Sequence, residues 1–317
     1  MRPPIATLSI SGRLLPVLVL GAAAAAIALS VSACSTTSSS SNEPTATDQI
    51  KIVAAFYPLQ YAAEEVGSTY ANVTNLTSPG LEPHDLELSP AQITEIADAD
   101  LVLYLKGFQP SVDEAVAQQA ADRAIDVSAG IDLLNMNPDA EGLAGGLDPH
   151  IWLDPANITK IATSISDRLG SINTSAAPTF NANTKTLAAD MANLRGEFSA
   201  GLANCESRTL VTSHEAFAYL AKAFGLTQVG ISGLSPEAEP SPARLAEVAD
   251  LVTTEGITTI YYETLVSPKV AETLASETGT TATVLDPIEG LAPGSIESYP
   301  DVMRSNLAAL KAGQRCA

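Results

Sequence analysis

Thr209-Leu210-Val211-Thr212 is a short apolar run rich in β-branched side chains, and it reads as a buried strand. Ser213-His214 interrupts it, and Glu215–Phe224 then has the composition of a helix, closed by Gly225 as a C-cap. Thr227–Ile231 begins a second strand. A strand, a helix and another strand in so short a span form a βαβ unit, whose crossover forces the two strands parallel.

The same alternation extends in both directions. Toward the C-terminus, Pro242–Thr254 reads as a helix, Ile257–Tyr262 as a strand and Lys269–Thr278 as a helix closed by Gly279. Thr281–Leu285 is the last predicted strand and Tyr299–Ala312 the last helix. Toward the N-terminus, Lys51–Phe56 is a strand ending near Pro58, with a helix following to Gly67. Val73–Leu76 and Leu101–Leu105 are further strands. Ser89-Pro90 opens one helix as N-cap and first helical residue, and Val112–Ala120 is another.

The middle departs from this rhythm. Asn157–Leu169 carries Ile158, Ile161, Ile165 and Leu169 at helical spacing, and a further helix runs from residue 175 or 178 through Leu187, Met191, Leu194 and Phe198 to Leu202. The expected fold is therefore α/β: two lobes, each a mostly parallel sheet flanked by helices, at 50–174 and 204–317. A long rigid helix at 175–203 joins them.

Residues 1–33 read as a secretory signal, with Arg2 and Arg13 ahead of the apolar run Leu14–Val31. Val31-Ser32-Ala33-Cys34 looks like a bacterial lipobox, which implies lipid modification of Cys34 and cleavage before it. A transmembrane anchor is the competing reading, since the run is about long enough to span a bilayer. Residues 34–49 then form a flexible, polar tether. Location is expected to be extracytoplasmic, on the cell membrane. An exported chain with one further pair of cysteines, Cys205 and Cys316, suggests a disulfide. Net charge is −20, from 16 basic and 36 acidic residues, and argues against nucleic acid as a partner.

The chemistry concentrates in three histidines, the full complement of the chain. His84 follows Glu82-Pro83, His150 follows Asp148-Pro149, and His214 follows Thr212-Ser213. All three fall between predicted elements, where open α/β sheets bind ligands at strand ends. They can share a site only if the lobes face each other. Three imidazoles suit zinc, copper, nickel or iron, and a carboxylate would complete a tetrahedral shell. Asp286, at the end of a predicted strand and before Pro287, is the candidate. An Asp before Pro also serves commonly as a turn residue, so that second role stays open.

Four strings make the pattern specific: Glu82-Pro83-His84-Asp85-Leu86-Glu87 with Ser89-Pro90, Asp148-Pro149-His150-Ile151-Trp152-Leu153-Asp154-Pro155, Ser213–Leu220 with Gly225-Leu226, and Ser235–Ser241. In these the chain resembles the zinc- and manganese-binding proteins of bacterial ABC importers, over essentially all of 50–317. The resemblance implies a transported metal held between the lobes by His84, His150, His214 and Asp286. It also implies delivery to an ABC permease by a monomeric, lipid-anchored protein that is not an enzyme. A histidine at position 214, where manganese-preferring members often have glutamate, favours Zn2+ over Mn2+ as cargo. The stretch Asn135–Leu147 lacks the histidines that many zinc-specific members carry there. A zinc-dependent hydrolase is the alternative of another class, although no HExxH or GxSxG string is present.

Overall fold

The computed structural model describes residues 49–135 and 146–317. The signal, the Cys34 lipidation motif and nearly all of the tether lie outside the described residues, as does most of the Asn135–Leu147 stretch. The alternation read from the sequence appears as two four-stranded parallel sheets of the same topology. In chain order the first half comprises β1 (Ile50–Ala54), α1 (Tyr57–Gly67), β2 (Ala71–Asn75), α2 (Pro90–Asp98), β3 (Leu101–Tyr104), α3 (Pro110–Gln119) and β4 (Ala124–Asp126). Strand order is β2-β1-β3-β4. Strand β4 has three residues around one aliphatic side chain, Ile125, and is too short to give a periodic signal.

Two helices follow. Helix α4 (Pro155–Ile172) starts at Asp154, whose side chain accepts from Ala156 N–H, and buries Ile158, Ile161, Ile165 and Leu169. Helix α5 (Ala177–Gly201) runs antiparallel along it and buries Phe180, Leu187, Met191, Leu194 and Phe198. Both pack against α1, so the long helix is braced along its length.

The second half comprises β5 (Thr209–Thr212), α6 (Ala218–Phe224), β6 (Thr227–Gly230), α7 (Pro242–Glu255), β7 (Thr259–Tyr262), α8 (Lys269–Thr278), β8 (Thr281–Val284) and α9 (Tyr299–Gly313), with strand order β6-β5-β7-β8. Gly225 ends α6 at φ 68, a left-handed conformation that glycine adopts without steric cost. Helix α6 starts three residues later than its composition predicts. Thr212 Oγ1 and Gln228 Nε2 both donate to the His214 carbonyl, and Glu215 N–H donates to Gly233 O, which holds the segment after β5 as a loop.

Both sheets belong to one compact unit. A core containing Phe56, Trp152, Phe198, Leu220 and Tyr299 runs from one half into the other. Trp152 Nε1 donates to Pro287 O at 2.7 Å, and Tyr299 Oη donates to Trp152 O at 2.6 Å. The halves also meet where Gly80 N–H donates to Leu291 O at 2.8 Å, and a Cβ on Gly80 would lie 2.6 Å from Pro293. Cys205 and Cys316 are joined in a disulfide that ties the residues following α5 to the end of the chain. Among the described residues, no helix is long and apolar enough to cross a membrane.

Candidate metal centre

Parallel strands end together, so the loops after them collect at one edge of each sheet. His214 is the second residue past β5, while His84 lies in the loop between β2 and α2. His150 stands at the entrance to a single 3-10 turn, Ile151–Leu153, that leads into α4. The structure brings the three rings together, with centroid separations of 5.4 Å (His84–His150), 5.4 Å (His150–His214) and 6.0 Å (His84–His214).

The carboxylate among them is Glu289. Its Oε1 lies 3.0 Å from Nε2 of His150, 3.4 Å from Nε2 of His214 and 3.5 Å from Nε2 of His84. One donor atom from each of the four residues falls within 4.8 Å of all the others. A tetrahedral zinc at about 2.0–2.1 Å from its ligands separates neighbouring donors by about 3.4 Å, which two of the three carboxylate distances already match. Nε2 of His84 and of His214 are buried without a hydrogen-bond partner, a cost that a bound ion would relieve.

Asp286, the carboxylate expected from the sequence, is not in this cluster. Its Oδ1 accepts from Ile288 N–H at 2.7 Å and its other oxygen accepts from Thr264 Oγ1. Its backbone is gripped at both polar groups by Asn306, at 2.8 and 2.7 Å. Asp286 thus acts as the turn residue that was its competing reading. The turn holds Ile288 at φ 57, a strained conformation for a β-branched side chain, and turns Glu289 into the pocket. A β-branched residue gives no sequence signal for a left-handed turn, which is why the carboxylate three residues beyond the strand-end aspartate escaped the sequence reading.

Two other carboxylates, to which the sequence pattern assigns no role, stand behind the rings. Asp148 Oδ1 lies 2.8 Å from His150 Nδ1, and Glu263 Oε1 lies 2.7 Å from His214 Nδ1. Burial opposes charge on both rings, but the carboxylates outweigh it. Asp148 and Glu289 raise His150 above the ordinary imidazole range. Glu263 and Glu289 push His214 up to about 10. Burial works against the Glu289 carboxylate too, yet His84, His150 and His214 hold it well below the ordinary range. Burial, with Glu289 beside it, pushes Glu82 up to about 8. Without metal, the carboxylates thus favour the protonated form of His150 and His214 beside an ionised Glu289.

The surroundings are stiff and largely apolar. Phe108 lies edge-on to His84 at 4.7 Å, and Trp152 tilts against His150 at 5.3 Å. Buried Gln109 donates to Pro83 O and Thr77 Oγ1, which fixes the chain just before His84. Tyr219 Oη accepts from Leu134 N–H at 2.9 Å and donates to Asp148 O at 3.1 Å. Asp148 N–H also donates to Leu134 O at 2.9 Å. The four donors are shut in, with side-chain exposures of 10% for His84, 0% for His150, 1% for His214 and 2% for Glu289, so solvent reaches the site past His84.

The model of the family described as zinc-uptake complex component A, periplasmic (ZnuA), matches residues 52–313. The chain belongs to the ZnuA family. Its relatives include the high-affinity zinc uptake system protein ZnuA of Bacillus subtilis, 33% identical over 279 residues, or 83% of this chain and 87% of that one. The zinc-binding lipoprotein AdcA of Streptococcus pneumoniae is 34% identical over 285 residues, 85% of this chain. The ZnuA-family chain described here spans 57% of AdcA's length. Among solved structures, the Zn(II)-bound ZnuA-like domain of that AdcA superposes with a TM-score of 0.73 at 35% identity, covering 84% of this chain and 99% of the other. The laminin-binding protein Lmb of Streptococcus agalactiae, described as an adhesin with metal-transporting activity, gives a TM-score of 0.75 at 30% identity over 84% and 99%. Family membership places the chain among solute-binding components of transport.

Proposed function

We propose that this protein captures a zinc ion outside the cytoplasmic membrane and hands it unchanged to an ABC-type permease. The observation that carries this reading is the convergence of three imidazole nitrogens and the Glu289 carboxylate, two donors from each half of the chain. Three neutral imidazoles and one carboxylate suit zinc, whereas manganese favours a harder, oxygen-rich set. A full set of four protein donors leaves no place for the bound water that a zinc hydrolase activates. The donors are thus His84, His150, His214 and Glu289, with Asp286 holding the turn. The lipid on Cys34 and a monomeric state complete the proposal and keep the site within reach of a membrane permease.

Metal analysis and competition titration with zinc and manganese test this reading on the purified protein. One tightly held zinc per chain, lost when His84, His150 or His214 is replaced by Ala, is the expected result. Preferential binding of manganese would overturn the cargo, and absence of any tight metal would overturn the function.

A further inference from the structure

Asp148 and Glu263 sit behind the donor set, each against the ring nitrogen that faces away from the pocket. Both are 3% exposed. Asp148 Oδ1 accepts from the backbone N–H of His150 at 2.9 Å as well as meeting Nδ1, so one oxygen fixes both the ring and the chain that carries it. Glu263 Oε1 also accepts from Ser213 Oγ at 3.0 Å, and Ser213 N–H donates to Tyr261 O at 2.8 Å. The pairing of Thr212 in β5 with Tyr261 in β7 brings these two loops together, so sheet register sets the meeting of Glu263 with His214. Among the described residues, no carboxylate stands in this way behind the His84 ring.

An ionised carboxylate can only accept. A neutral imidazole held against one therefore keeps its proton on Nδ1 and turns the Nε2 lone pair into the pocket. We propose that Asp148 and Glu263 are positioning residues for zinc capture, fixing the tautomer and ring direction of His150 and His214. The proposal rests on the zinc-capture reading. It also assigns the pocket more negative charge than its donors alone carry: with zinc bound, three carboxylates offset the two positive charges of the ion, which favours retaining a dication in a buried place.

The test uses the full chain in detergent, with Glu263→Gln and Asp148→Asn, which keep shape but replace an obligate acceptor by an amide that can also donate. Zinc affinity by competition titration is expected to fall about 10- to 100-fold in each variant. Proton NMR of the zinc-loaded protein supplies a readout that general destabilisation would not move. The hydrogen-bonded Nδ1–H resonance of His214 should shift or vanish in Glu263→Gln alone, and that of His150 in Asp148→Asn alone. Wild-type zinc affinity in both variants would overturn the proposal while leaving the capture reading intact. So would lost affinity with both Nδ1–H resonances unchanged. Failure of the unaltered protein to bind zinc would overturn both.

Discussion

Zinc must compete with protons for this pocket, and the competition can be measured. Raising the pH is the perturbation. His150 and His214 are both lifted above the ordinary imidazole value of about 6.5 by the carboxylates around them, His214 to about 10. Around neutral pH His214 in the metal-free pocket therefore holds a proton on the nitrogen that zinc requires, and His150 keeps one to a higher pH than a free imidazole would. Binding expels the His214 proton, so at least about one proton leaves per zinc, and affinity should tighten at least about tenfold for each pH unit. Free imidazoles would place the pH window near about 6.5, and the pocket moves it upward. The same shifts act on the metal-free fold with opposite sign. A raised imidazole stabilises below its unfolded value and loses that contribution as pH climbs toward its folded one. Metal-free stability should therefore decline between about pH 6.5 and 10. Glu82, lifted to about 8, adds to the decline over its lower range, from about 4.5 to 8. Calorimetric titration of zinc at pH 7 in buffers of different ionisation enthalpy counts the protons, and repeats at pH 6.5 and 7.5 give the slope. A proton count near zero with a flat affinity profile would refute the reasoning.

Glu289→Ala removes one of four donors. If a total of about 10–16 kcal/mol is shared among them, zinc affinity should fall about 10²- to 10³-fold, whereas Asp286→Asn, which keeps the Oδ1 acceptor for Ile288 N–H, should stay close to wild type in a competition titration. Trp152→Phe keeps the ring but leaves Pro287 O without its donor, so urea unfolding should show a loss of about 1–3 kcal/mol. Replacing Cys205 and Cys316 together by Ser opens a link across 111 residues and should cost about 2–5 kcal/mol of stability, with zinc affinity unchanged because the bridge does not touch the pocket.

The sequence conveyed the parallel α/β architecture because buried strands and capped helices announce themselves locally. Pro90 after Ser89, Gly225 after Phe224 and Gly279 after Thr278 each mark an element boundary by a physical constraint on φ or on hydrogen bonding. The histidines were legible because there are so few and each stands outside a predicted element. What eluded the reading is tertiary. Glu263 meets His214 only through the pairing of β5 with β7, and Glu289 enters the pocket only because Asp286 and Asn306 hold a turn that Ile288 would not choose. A strand-end aspartate beside proline offered a plausible donor on chemistry alone. Distinguishing it from the glutamate three residues on required the direction of the chain.

The Tyr219 hydroxyl, bonded to Leu134 on one side and Asp148 on the other, works like a ring closing the neck of a bag. Asn135 and Leu147 pair just beyond it, and Asp148 N–H donates to Leu134 O, so residues 134–135 and 147–148 lie side by side. His150 takes its position from the neck, through Asp148, which holds both its ring and its backbone N–H. A hydroxyl from helix α6 of the second half thus helps to seat a ligand that the chain delivers before α4, so the two halves are tied together beside the metal pocket itself.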